Sequence, residues 1–71
     1  MDDYQKSEMI TKIIYQFVNC DTINEVNDIC KKYCDFIRDN PFMMTYKIRA
    51  KKRINTLNII KMGLTEIQYK N

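Results

Sequence analysis

The sequence predicts an all-α protein, a small bundle of three helices in an up-down-up arrangement with a long third helix. Three stretches carry apolar residues at spacings of three and four, which mark one face of an α-helix. Short polar breaks with capping residues separate them, and no β-branched run alternates with period two over a useful length. With 71 residues the chain has room for one domain, which we place over residues 1–71.

The first predicted helix covers residues 4–19. Asp2 and Asp3 lie at its start, where carboxylates interact favourably with the positive end of the helix dipole. The segment Asn19-Cys20-Asp21 is predicted to break the helix. The apolar residues of this helix share one stripe, which consists of Ile10, Ile13, Ile14, Phe17 and Val18.

The second predicted helix covers residues 22–38. Thr22 and Glu25 have the spacing of a capping box, with Asp21 as the competing cap. Asp39 and Asn40 are predicted to end the helix. Its expected buried stripe consists of Val26, Ile29, Cys30, Tyr33 and Ile37.

The third predicted helix covers residues 41–62. Asn40 is its expected N-cap, and Pro41 fits the first helical position, where no backbone N–H is needed. Gly63 is the expected left-handed residue that closes the helix. A short C-terminal turn capped by Thr65 and Gln68, or an unstructured tail, is expected to follow.

The third helix carries apolar residues on two sides. The main stripe, expected to face the bundle, consists of Phe42, Met43, Tyr46, Ala50, Ile54, Leu57, Ile60 and Leu64. The second stripe consists of Met44, Ile48, Ile59 and Met62, and Lys51 and Asn55 interrupt it. Two short helices can cover one side of a long third helix, but they would not easily cover both sides. Either the second stripe contacts another molecule, or the helices wrap or bend so that both stripes are buried.

The charges are divided between the two halves of the chain. Residues 1–40 carry a net charge of −3 and residues 41–71 a net charge of +6. The first expectation is that the basic cluster in the third helix neutralises acids of the second helix, namely Glu25, Asp28, Asp35 and Asp39. The alternatives are contacts with nucleic-acid phosphates and contacts with an acidic protein. The basic cluster consists of Lys47, Arg49, Lys51, Lys52 and Arg53.

The composition disfavours catalysis and metal binding. The chain has no His, the commonest general base and metal ligand, and its single Gly excludes a Gly-rich phosphate loop. The three Cys do not make a four-ligand zinc site, so we expect no metal, no cofactor, no small-molecule substrate and no enzymatic activity. We expect the thiols to be reduced and buried, with Cys20 the most exposed of them.

Nothing in the sequence resembles a secretory signal or a membrane anchor. Its longest apolar run is Phe42-Met43-Met44, far short of the roughly 20 residues that span a bilayer. We therefore expect an intracellular protein, cytoplasmic or nuclear, without membrane contact. The abundance of Ile, Lys, Asn and Tyr indicates an AT-rich coding sequence, as in viruses, phages, low-GC bacteria and some protists.

The functional expectation that follows is a small, non-enzymatic binding module whose long third helix contacts a partner protein or a second copy of the chain. Its expected partner-binding residues are those of the second stripe, Met44, Ile48, Ile59 and Met62. A small regulator or inhibitor from a virus, phage or mobile element fits the size and composition. The alternative is a nucleic-acid-binding protein that uses the basic cluster of residues 47–53 on phosphates.

Overall fold

The computed structural model describes the backbone of residues 2–70 and the side chains of residues 2–63. Within residues 2–70 the chain forms four α-helices and one short 3-10 turn, with no strand. The predicted all-α bundle with a long final helix is confirmed. The helices are α1 (Asp3–Asn19), α2 (Ile23–Lys32), α3 (Cys34–Asp39) and α4 (Met44–Lys70), and the 3-10 turn is Pro41–Met43.

The first two helices begin with the capping residues that the sequence indicates. A carboxylate oxygen of Asp2 accepts a hydrogen bond of 2.7 Å from the backbone N–H of Gln5. The hydroxyl of Thr22 accepts one of 3.1 Å from the backbone N–H of Glu25 and donates one of 3.2 Å to its carboxylate. Each cap satisfies a backbone donor that has no partner within its helix.

The predicted second helix is in fact two helices. It breaks at Tyr33, whose backbone angles of φ −115° and ψ 26° leave the helical region. The hydrogen bonds on either side of the break survive, because Tyr33 N–H donates to Ile29 O at 3.0 Å and Ile37 N–H donates to Tyr33 O at 2.9 Å. The predicted stripe therefore still faces the core, with Val26, Ile29, Tyr33 and Ile37 buried and Cys30 half-buried.

Asn40 does not cap the last helix with its side chain, as the sequence had suggested. Its side-chain amide instead donates a hydrogen bond of 2.9 Å to the carbonyl of Phe36 near the end of α3. The following Pro41 disfavours helical geometry at Asn40, so α3 ends at Asp39. Pro41 begins a 3-10 turn, and α4 starts only at Met44.

Gly63 does not close the last helix either. The α4 helix continues through it to Lys70, and Gly63 has no positive φ. Glycine costs about 1 kcal/mol inside a helix, too little to stop one when the apolar pattern continues, as it does in the sequence at Leu64 and Ile67. The predicted turn at Thr65 and Gln68 involves side chains outside the described residues.

The residues of the hydrophobic core run in sequence from Ile13 to Ile54. The first part of α1 and the last part of α4 contribute no buried residue among those whose side chains are described. The described part of the molecule measures 59 Å by 17 Å by 16 Å. The core residues are Ile13, Phe17, Cys20, Val26, Ile29, Tyr33, Ile37, Met43, Ala50 and Ile54.

The main stripe is buried only near its start, in the 3-10 turn and the first part of α4. Met43, Ala50 and Ile54 are in the core, and Tyr46 packs against it. Three other predicted core positions, Phe42, Leu57 and Ile60, are about half exposed, as is Val18 of the first stripe. For Leu57 and Ile60 the reason is the length of α4, which has 27 residues, whereas α1 has 17 and α2 has 10. The side chain of Leu64 lies outside the described residues.

Candidate functional site

Beyond Ile54, α4 projects from the bundle. Every side chain of residues 55–62, which we call the projecting segment, is exposed. Single exposed apolar residues are common on protein surfaces, but several large ones in a short segment mark an interaction surface. The large apolar side chains of the projecting segment, with their exposed fractions, are Leu57 (50%), Ile59 (68%), Ile60 (51%) and Met62 (66%).

All residues of the second stripe are exposed. Met44 is 39% exposed and Ile48 60%, and both lie beside the bundle, whereas Ile59 and Met62 belong to the projecting segment. The half-buried Lys51 and the exposed Asn55 separate these two pairs along the same side of α4. The second stripe therefore remains accessible to another molecule at both of its ends.

Leu57 and Ile60 lie on a different side of the projecting segment. Leu57 is seven residues after Ala50, and Ile60 is fourteen after Tyr46, so both continue the face that packs against the bundle. Sequence reasoning missed them as surface residues, because their spacing matches that of the buried positions. The available signal was the length of α4 relative to the two helices that cover it.

The basic cluster does not form one exposed surface. Arg49 and Lys52 are exposed, whereas Lys47 and Lys51 are half-buried. The guanidinium carbon of Arg49 lies 6.0 Å from the centre of the Tyr46 ring, close enough for a cation–π contact. Two of the five cluster residues, Arg49 and Lys52, are therefore exposed, and one of these two contacts an aromatic ring.

Arg53 has a structural role in the bundle. Its Nη2 donates hydrogen bonds to the carbonyl oxygens of Phe17 at 3.1 Å and Cys20 at 2.7 Å. The last carbonyls of a helix have no partners within the helix, and cations interact favourably with that end of its dipole. Arg53 thus holds the end of α1 against α4. No local pattern predicts this contact, which joins residues more than 30 positions apart.

The predicted neutralisation between helices is absent. In the part of the chain whose side chains are described, Arg38 forms the ion pairs, at 3.4 Å with Asp35 and 3.8 Å with Asp39. All three side chains are exposed and lie within α3, so the pairs contribute little to stability. No ion pair joins residues 47–53 to acids of α2 or α3.

The cysteines are not arranged as predicted. Cys20 is buried, whereas Cys34 is exposed and Cys30 is half-buried. The thiol of Cys20 donates a hydrogen bond of 3.0 Å to the carbonyl of Phe17, and Arg53 covers the same turn. Burial raises the pKa of the Cys20 thiol, and the charge of Arg53 opposes that shift. Among the described residues, no group of three or more His, Cys, Asp or Glu is placed to hold a metal ion.

Iodoacetamide is expected to alkylate Cys34 first and Cys20 last in the folded protein. The thiolate is the reactive form, and burial of Cys20 both blocks access and disfavours that form. Folding raises the pKa of the Cys20 thiol, so this group stabilises the folded protein at pH values below the ordinary thiol pKa. Its contribution to the free energy of unfolding is lost as the pH rises through the raised pKa. Mass spectrometry of timed samples checks the order, with the denatured chain as control. Equal rates at Cys20 and Cys34 in the native protein would contradict this arrangement.

A surface depression of about 590 Å³ lies along α1. Seven residues of α1 line it: Tyr4, Ser7, Glu8, Thr11, Lys12, Tyr15 and Gln16. A ligand there would lie against one helix and stay open to solvent, unlike the clefts that enclose small molecules.

Comparison with known proteins gave no relative: no family model, curated protein or solved structure matches the chain. In the described part of the chain, none of the helices has the length and apolar character needed to cross a membrane.

Proposed function

We propose that this chain is a small, non-enzymatic helical module that binds another protein through the exposed apolar side chains of α4. The observation that carries the proposal is the projecting segment, which places four large apolar side chains in solvent within six residues. Apolar surface of this kind is stabilised when a partner removes it from water.

The composition of the projecting segment favours a protein partner over nucleic acid. Lys61 is its one charged residue, and the remaining positions hold four apolar residues and the neutral Asn55, Thr56 and Asn58. Binding to a phosphate backbone depends on several cations acting together. In the basic cluster, Arg49 and Lys52 are exposed, while Arg53 is bound to backbone carbonyls.

The second stripe has the geometry of a helix that docks into an apolar groove. Ile59 and Met62 are three residues apart, as are the anchor residues of such helices, and Met44 and Ile48 extend the same side by two further anchors. Methionine adapts its shape to irregular surfaces. We propose that the partner offers an apolar groove and that the protein regulates this partner as an intracellular regulator, inhibitor or accessory factor. Its size and composition fit a protein of a virus, phage or mobile element.

A pull-down with immobilised protein tests this proposal. Wild type should retain a partner protein at both about 50 and about 500 mM salt, because apolar docking depends little on ionic strength. The double substitution Ile59→Asp with Met62→Asp should lose it. The matched control, Thr56→Asp with Asn58→Asp, adds the same charge at exposed positions outside the second stripe and should retain it.

Two outcomes would count against the proposal. Equal retention by all three proteins would mean that the second stripe makes no contact with what is bound. Retention of nucleic acid that falls steeply between about 50 and 200 mM salt would favour the basic cluster instead.

A further inference from the structure

We propose that two copies of this chain associate through the solvent-facing side of α1, with the two α1 helices antiparallel and Glu8 of each copy beside Lys12 of the other. This contact uses no residue of α4. It therefore goes beyond the proposed function, and each copy keeps its second stripe free for a partner protein.

The solvent-facing side of α1 carries two exposed tyrosines with small residues between them. Tyr4 is 72% exposed and Tyr15 70%. Ser7 and Thr11 lie between the two rings and help to line the depression along α1. Tyrosine is common at protein interfaces, because its large ring is apolar while its hydroxyl tolerates water. Two exposed rings beside a depression therefore form a surface that can receive the side chains of another helix.

The spacing of these residues fits an antiparallel copy of the same helix. In a symmetric antiparallel pair, residues that lie opposite each other have numbers that add up to a constant. Tyr4 and Tyr15 add up to 19, and Glu8 and Lys12 add up to 20. Because each residue advances the helix by about 1.5 Å, one arrangement aligns both pairs to within about 1 Å along the helix axes.

Charge selects this arrangement. In the antiparallel pair, contacts between Glu8 and Lys12 form twice, once at each side of the symmetry axis. The two copies of Glu8 are then offset by about 5 Å along the helix axes, and the two copies of Lys12 by about 7 Å. A parallel pair in register would instead place Glu8 opposite Glu8 and Lys12 opposite Lys12, and it would align the two helix dipoles unfavourably.

The charges at this surface are unpaired within one copy. Among the residues whose side chains are described, Glu8, Lys12 and Lys32 form no ion pair. The Lys32 ammonium lies 5.4 Å from the centre of the Tyr33 ring. A hydrogen bond from Gln16 lowers the pKa of the Tyr33 hydroxyl, and the charges of Lys12 and Lys32 act in the same direction. Two cations from different helices thus lie close together, and Glu8 of a second copy supplies the carboxylate that they lack.

The extent of the contact sets the expected affinity. From Tyr4 to Tyr15 the helix advances about 17 Å, so the contact is smaller than the standard 800 Å² or so of each partner. We therefore expect a reversible dimer with a dissociation constant on the order of 100 µM. Arg53 binds the end of α1, and α4 continues past that point, so the two projecting segments lie at opposite ends of the dimer.

Sedimentation equilibrium of the full chain from about 10 µM to about 1 mM tests the dimer. The wild-type mass should rise from 8.6 kDa towards twice that value across this range. Lys12→Glu and Glu8→Lys should each keep the monomer mass throughout, because each places like charges opposite each other. The double variant Glu8→Lys with Lys12→Glu exchanges the charges and should dimerise again.

Lys6→Glu is the matched control for Lys12→Glu. It makes the same change of charge at an exposed position of α1 outside the paired surface, and it should dimerise as wild type does. All substituted residues are exposed, so circular dichroism should show the helical signal of wild type for each variant.

Three results would overturn the inference: a wild type that is monomeric up to about 1 mM, a Lys12→Glu variant that dimerises as wild type does, or a double variant that stays monomeric. None of them changes the pull-down through Ile59 and Met62, because α4 takes no part in the dimer. Failure of the dimer is therefore distinguishable from failure of the proposed function.

Cysteine cross-linking tests the orientation. In a Cys34→Ser background, Tyr4→Cys and Tyr15→Cys proteins mixed at about 1 mM should link to each other under mild oxidation. Neither should link to itself beyond the background. In the antiparallel pair the two copies of either position lie about 16 Å or more apart along the axes, whereas a disulfide needs Cα atoms within about 7 Å. Self-linking in preference to the mixed product would overturn the antiparallel arrangement.

Discussion

Replacing Ile54 with alanine is expected to lower the free energy of unfolding by about 2–5 kcal/mol. Ile54 is 2% exposed and packs where α4 meets the other helices, so alanine leaves a cavity that the core fills only in part. Small domains have total stabilities of about 5–15 kcal/mol, and a chain of 71 residues lies at the lower end. Urea denaturation followed by circular dichroism at 222 nm measures the change.

Ile48→Ala is the matched control for Ile54→Ala. It removes the same atoms from the same helix, six residues earlier, at a position that is 60% exposed. Its cost is expected to stay within about 0.5 kcal/mol, since no cavity forms. Similar losses for the two variants would mean that the core does not lie on the side of α4 described above.

Replacing Arg53 with methionine is expected to lower the free energy of unfolding by about 1.5–3 kcal/mol, the range for hydrogen bonds made by a charged group. Methionine keeps much of the apolar stem of arginine but donates to neither the carbonyl of Phe17 nor that of Cys20. The end of α1 then loses its charged donor. Thermal and urea unfolding of the variant at neutral pH check this loss.

Arg49→Met serves as control for Arg53→Met, because it removes the same charge from the same helix. Arg49 is exposed and contacts the ring of Tyr46, an interaction worth about 0.5–1 kcal/mol at such sites. If the two variants were equally stable, the hydrogen bonds of Arg53 would contribute nothing, and it would belong with the solvent-exposed cations.

The parts of the fold that depend on neighbouring residues could be predicted from the sequence. The spacing of apolar residues indicated the helices, and the Thr22–Glu25 capping box indicated where α2 begins. The break at Tyr33 could not be predicted, because no Gly or Pro marks it. Tyr33 is buried against α1, where its hydroxyl accepts a hydrogen bond of 2.9 Å from the Gln16 amide, a contact between residues distant in the chain. That bond also holds the pKa of Tyr33 below its usual value.

The candidate site could also be predicted in part: the side of α4 on which its residues lie follows from the sequence, but the point at which the bundle ends does not. Periodicity separates the two sides of α4, so it indicated that Met44, Ile48, Ile59 and Met62 share a side away from the bundle, and all four are exposed. Where the bundle ends along α4 is a matter of tertiary packing. The sequence pattern therefore placed Leu57 in the core, although it lies in solvent.

The packed first part of α4 has a further consequence for the helical state of the projecting segment. A helix is difficult to start, because the first turn fixes several residues for one hydrogen bond, but easy to extend. Burial of Ala50 and Ile54 holds the first part of α4 in the folded bundle, so residues 55–63 need only propagate an existing helix. The loss of conformational entropy that ordering this backbone requires thus occurs during folding, and a partner meets a surface that is already helical.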